Sequence, residues 1–213
     1  MRTDDLVTML STGAVAAEPN GVPRRYAAAL GSGALGAAIL MGLMLEIRHD
    51  LGAAVRLPMF WAKVGFVACL AASGLLAVVR LSRPGARLNL VPSALAAPVL
   101  AMWALAAFAL MGADEAQRPH LFFGDTWTSC PFLVATLSVP AFVALMWAVR
   151  GLAPTRLALA GAAAGFLSGA TGALVYCLHC PEMAAPFLGF WYLLGMLIPS
   201  AAGALLGPRL LRW

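Results

Sequence analysis

Long apolar runs separated by short polar clusters set the pattern of this chain. A helix needs about 20 apolar residues to cross about 30 Å of hydrocarbon. Reading for such runs predicts six spans: Tyr26–Leu45, Met59–Val79, Val91–Gly112, Thr128–Val149, Leu157–Tyr176 and Phe187–Leu206. The connectors carry helix breakers, namely Pro58, Arg83-Pro84-Gly85, Pro119, Pro154 and Pro181. None is long enough for a separate soluble domain. The predicted architecture is all-α: a cytoplasmic leader over residues 1–25 and a polytopic membrane bundle of six transmembrane helices over 26–213.

Composition agrees with that pattern. Hydrophobic residues make up 62% of the 213 and charged residues 11%, with mean hydropathy +0.88, against about 45–50% and about 25% in an ordinary soluble domain. A soluble globular domain, a disordered tail, a collagen-like fibre and a DNA-binding module are excluded. The net charge of +5 implies no direct nucleic-acid contact, because the charges cluster between apolar runs. Arg2, Arg24, Arg25, Arg80, Arg83, Arg87, Arg150, Arg156, Arg209 and Arg212 all fall on one side of the six-span topology, and only Arg48, Arg56, Arg118 and Lys63 on the other. The positive-inside bias predicts both termini in the cytoplasm, hence a multi-pass membrane protein. The leader is too polar for a cleavable signal peptide, with Asp4, Asp5 and Glu18 ahead of the first apolar run, and is expected to stay on the mature protein.

Within the spans, Lys63 is the only ionisable side chain. One turn from the outer end and beside Trp61, it is expected to snorkel to the interface as an anchor. Trp61, Trp127 and Trp191 near one interface and Trp147 near the other read as an aromatic belt. Gly161, Gly165, Gly169 and Ala173 recur every four residues, a ridge that permits close helix approach. Pro98, Pro140 and Pro199 are expected to kink their helices. With no Asp, Glu or His in a span, cation-coupled transport has little to work with, although a passive facilitator remains open.

Cys69 lies mid-span and reads as a small packing residue. Cys130, Cys177 and Cys180 share one depth at the outer ends of spans four and five, where His49, His120 and His179 also map. Cys130 opens a helix ahead of Pro131, where the dipole favours thiolate, whereas Cys177 and Cys180 close one. Cys130 is therefore expected to be the attacking thiol, with Cys180 or Cys177 resolving. Three readings stand: a structural disulfide; a soft metal ion held by Cys130, Cys177, Cys180 and His179; and a reversible thiol sensor. The Cys-x-x-Cys at Cys177–Cys180 ends a helix instead of opening one, which weakens a thiol-disulfide oxidoreductase reading.

In the leader, Thr3 is a plausible N-cap with Asp4 and Asp5 in the first turn. Leu6, Leu10 and Ala14, with Val7 and Met9 alongside, give one apolar stripe over about three turns. A helix this short is marginal alone and is expected to order on a protein partner.

Taken together, these residues resemble the NrsF-like family of six-helix membrane anti-sigma factors. The resemblance runs through Thr3-Asp4-Asp5-Leu6-Val7, Gly124-x-x-Trp127-x-x-Cys130 with Pro140 following, and Ala153-Pro154-Thr155-Arg156. It continues with His179-Cys180-Pro181, Trp191-Tyr192 and Leu206-Gly207-Pro208-Arg209. It implies that the leader binds an extracytoplasmic-function sigma factor, through Asp4, Asp5, Leu6, Val7 and Leu10, and holds it at the bacterial inner membrane. It also implies that Cys130 and Cys180, one on each of two periplasmic segments, respond to oxidants or toxic metals and release it. Cys177 is an extra thiol beside that pair. The expectation is a regulator and not an enzyme, with no cofactor unless a soft metal ion binds the outer cysteines. The competing expectation is a small membrane thiol-disulfide oxidoreductase or metal-handling protein.

Overall fold

The computed structural model describes residues 3–12, 21–83 and 85–212. Among these every regular element is helical. Helix α1 (Thr3–Thr12) is followed by α2 (Gly21–Met44), the short α3 (Leu51–Ala54), α4 (Pro58–Leu81), α5 (Val91–Gly112) and the short α6 (Arg118–Phe123). Helices α7 (Cys130–Leu137), α8 (Val139–Arg150), α9 (Leu157–Tyr176) and α10 (Ala185–Phe187) come next, then a π turn (Leu188–Tyr192) and α11 (Leu193–Leu210). Five helices are long and apolar enough to cross a membrane: α2, α4, α5, α9 and the run from α10 through α11. The bent pair α7–α8 makes a sixth if counted as one span.

The fourth expected span is thus broken, turning 46° between α7 and α8. Pro140 has no N–H to give Thr136 and its ring crowds that carbonyl. The Ser138 hydroxyl donates to the Ala135 carbonyl at 2.6 Å. Gly172 of α9 lies against the break, where a Cβ would fall 2.8 Å from the Ser138 nitrogen. Pro98 and Pro199, also expected to kink their helices, lie within continuous α5 and α11.

Helix α9 is the buried centre of the bundle, packed most extensively against α11 and then against α4. Its glycine ridge is the reason. A Cβ on Gly161 would fall 2.1 Å from the Gly203 carbonyl oxygen, and one on Gly165 would fall 2.0 Å from that of Pro199. The two backbones therefore touch directly, as small-residue ridges allow.

Two apolar clusters stack along the helices. One gathers Tyr26, Val78, Leu145, Val149, Ala160 and Leu211, so the start of α2 and the end of the chain share one end of the bundle. The other holds Phe66, Cys130, Leu137, Tyr176, Cys180, Phe187 and Tyr192. Cys69, expected to pack inside, instead lies on the exposed side of α4, beside Pro98 and Met102 of α5. The interior side of that turn is taken by Phe66, Val67 and Leu70.

Candidate functional site

The second cluster closes around three sulfurs. Cys130 is the first residue of α7, Cys177 follows the last turn of α9, and Cys180 lies in the loop to α10. All three are buried, with relative exposures of 0%, 1% and 0%. The Cys130 and Cys180 side chains lie beside each other, with the Tyr176 hydroxyl near enough to interact with both. Tyr192, brought inward by the π turn, is fully buried. Its hydroxyl lies close to Cys177 and Cys180 but outside strict hydrogen-bond geometry.

Two cations bind the Cys180 carbonyl. The Lys63 ammonium, fully buried, donates to the carbonyls of Cys180 at 2.8 Å and Glu182 at 3.0 Å. It also lies 5.1 Å from the centre of the Tyr192 ring, a cation–π distance. Arg48 donates to the Cys180 carbonyl at 3.3 Å and pairs with Asp50 at 2.6 Å. That pairing raises the Arg48 pKa and lowers that of Asp50. Hydrogen bonding from Cys130, with further help from Lys63, pushes the Cys180 thiol well below its usual range despite burial. Burial drives Cys177 the other way, up to about 11.

A second set of contacts ties the Cys180 loop to the segment ahead of Cys130. The Glu182 carboxylate accepts the Asp125 backbone N–H at 2.8 Å and the Thr126 hydroxyl at 3.4 Å. Gly124 makes this approach possible. Its φ of 55° lies in the left-handed region, and a Cβ there would fall 2.6 Å from the Glu182 carboxyl carbon. Trp127 then reaches Trp191, with ring centres 5.2 Å apart, while Trp191 donates to the Phe122 carbonyl at 2.9 Å. The motif Gly124-x-x-Trp127-x-x-Cys130 is thus one continuous contact with the Cys180 loop and the π turn.

Several expectations change here. Lys63 does not snorkel: it turns inward, because two loop carbonyls and an aromatic face replace its water. Cys180, expected as a resolving thiol, is the one whose own carbonyl is held by Lys63 and Arg48. Trp127 and Trp191, expected as separate belt residues, join one aromatic cluster. Of the histidines, only His179 adjoins the site, its Nδ1 against the Glu46 carbonyl. His49 and His120 sit on the surface beside Glu46 and Asp125. Among the described residues no group of three or more His, Cys, Asp or Glu side chains is arranged to hold a metal ion.

Sequence reasoning missed Arg48, Tyr176, Tyr192 and Glu182 as members of this site. The one available signal was Lys63, a lone charge in an apolar run. The leader forms helix α1 as expected, with Asp4, Asp5, Val7 and Met9 exposed. Ala14 of its stripe lies outside the described residues, and α1 is not part of the thiol site.

Fold and site together define a class: a small apolar helical bundle with a shielded thiol pair at one end. The family model described as "Negative regulator of sigma F" matches residues 10–213. A probable anti-sigma-F factor NrsF of Azospira oryzae is 62% identical over 213 residues, covering all of both chains. An anti-sigma-F factor NrsF of Caulobacter vibrioides is 40% identical over 217 residues, again covering all of both. No solved structure matches the chain. The chain belongs to the NrsF family of negative regulators of sigma factors.

Proposed function

We propose that this chain is an inner-membrane anti-sigma factor whose leader sequesters an extracytoplasmic-function sigma factor, released when the buried thiol pair reacts. Both termini face the cytoplasm, and the thiols face the periplasm. The charge distribution supports this orientation, with ten basic residues on the side of the termini. In the resting state α1 lays Leu6, Val7 and Leu10 against the sigma factor, with Asp4 and Asp5 facing basic residues on it. The role is regulatory and not catalytic.

One observation carries the sensing half: Cys130 and Cys180 are fully buried beside each other, with Lys63 and Arg48 on the Cys180 carbonyl. Burial accounts for how such a pair stays reduced in an oxidising compartment. A two-electron oxidant that reaches it takes two electrons, the two thiols lose two protons, and one S–S bond forms. A thiol-binding metal ion would act on the same pair by displacing those protons. Either event replaces the contact between the two thiols and pulls on α7 and the end of α9. A differential of about 1.4 kcal/mol between the two bundle states shifts the population about tenfold.

The test is co-purification from detergent-solubilised membranes, with and without oxidant. Wild type is expected to retain a sigma factor and lose it on oxidation. The Asp4→Ala, Asp5→Ala, Leu6→Ala leader should retain none under either condition. A Cys130→Ser, Cys180→Ser double variant should retain it under both, and equal release from this variant and wild type would sink the sensing proposal.

A further inference from the structure

At the end of the bundle where α4 stops and α9 begins, Arg80, Arg83, Arg87 and Arg156 line one pocket of about 260 Å³. Local backbone geometry brings them there. Gly85, at φ 74°, turns the chain after α4, so that the Arg87 carbonyl accepts from Arg80 at 3.3 Å. Ala153, at φ 55°, lies in the turn leading to Arg156. Among the described residues no carboxylate lines this pocket, and no ion pair involves its arginines. Four like charges in one small space repel one another unless an anion joins them.

Two of the pocket's walls, Leu81 and Leu88, also line a larger cavity of about 400 Å³ between α4, α5, α9 and α11. That cavity is apolar, bounded by Leu70, Gly74, Leu95, Phe166 and Leu197 among others. Its one hydroxyl, Ser200, is already committed to the Ala162 carbonyl at 3.0 Å. Helix α5 lines one side of this space, with only Val91, Met102 and Ala106 of its 22 residues buried. The volume is within the range of small-molecule sites, about 300–1,000 Å³.

An apolar cavity that shares two walls, Leu81 and Leu88, with a cluster of guanidinium groups matches a ligand with an anionic head and a hydrocarbon tail. We propose that it binds one anionic phospholipid, the phosphate on Arg80, Arg83, Arg87 and Arg156 and an acyl chain between α5 and α9. Guanidinium forks suit phosphate oxygens, and basic pockets between membrane helices hold anionic headgroups. Orientation in the membrane needs arginines on one side but does not need them around a cavity. Free phosphate, or Asp4 and Asp5 of the leader, would satisfy the charges and leave the cavity unfilled. The proposal rests on the membrane-spanning reading but not on the thiols or the sigma factor.

The test is native mass spectrometry of the full chain in detergent, titrated with phosphatidylglycerol or phosphatidylcholine. One phosphatidylglycerol should be retained per chain, about tenfold or more tightly than phosphatidylcholine. Arg80→Gln with Arg87→Gln should weaken retention about tenfold or more. Ala162→Phe, which fills the cavity and keeps every arginine, should also weaken it. Arg150→Gln, at the same end but outside the pocket, should leave it unchanged. If the double arginine variant misfolds, Ala162→Phe and the lipid comparison still decide. Equal retention of the two lipids, or equal loss in Arg150→Gln, would reduce the effect to general surface attraction and overturn the proposal. So would displacement of phosphatidylglycerol by an equal concentration of inorganic phosphate, or a rise in its occupancy when Asp4→Asn and Asp5→Asn are combined.

Discussion

Lys63 holds two loop carbonyls and places a positive charge among three sulfurs, so its loss has two separable effects. Lys63→Met leaves the Glu182 carbonyl without its donor and the Cys180 carbonyl with Arg48 alone, at a cost of about 1–3 kcal/mol, read as a lower thermal midpoint. It also removes a charge that favours the Cys180 thiolate. In wild type, Cys180 should react with a small thiol reagent at a lower pH than an ordinary cysteine, because its pKa is depressed. In Lys63→Met the profile should move to higher pH, and an unchanged profile would show that Lys63 does not tune the thiol. Gly124→Ala places a Cβ at positive φ and against the Glu182 carboxylate, so a loss of about 1–3 kcal/mol is expected. The value of Gly124 could not be read locally, because Glu182 lies far along the chain.

At the scale of elements, the α9–α11 contact is backbone on backbone. Gly165→Val drives side-chain atoms into the Pro199 carbonyl and should destabilise the bundle by at least about 1–3 kcal/mol. Gly42→Ala, in α2 with open space around it, should be neutral or stabilising by up to about 1 kcal/mol. Parallel unfolding of the two variants checks the contrast; equal losses would mean the ridge is not a contact surface. The ridge itself was legible, since four small residues at four-residue spacing leave little else for that face to do. The break between α7 and α8 was legible only as a kink at Pro140, because the opening for it is provided by Gly172 of another helix.

For the whole molecule, the two ends of the bundle carry different proposed tasks. The thiols lie at one end, while the start of α2 and the arginine pocket lie at the other. Among the three thiols, Cys130 and Cys180 interact most strongly, so Cys177→Ser should keep oxidant-induced sigma release within about twofold of wild type, whereas Cys130→Ser alone should lose it. Co-purification under oxidant measures both, and loss in Cys177→Ser would reassign the reactive pair.

Periodicity and composition alone determined the helical class, the approximate limits of five long apolar helices, the glycine ridge and the gathering of three cysteines at one end. These properties are local or one-dimensional: hydrocarbon thickness fixes helix length, and alternating spans fix which connectors share an end. The tertiary structure decided what those residues do to one another. It turned Lys63 inward, set Cys130 beside Cys180 with Lys63 and Arg48 on the Cys180 carbonyl, and brought Glu182 to Gly124. Each outcome depends on which loop carbonyl or carboxylate lies within 3 Å or so of a given group. That is set by how helices distant in sequence pack, and no pattern along a single chain encodes it.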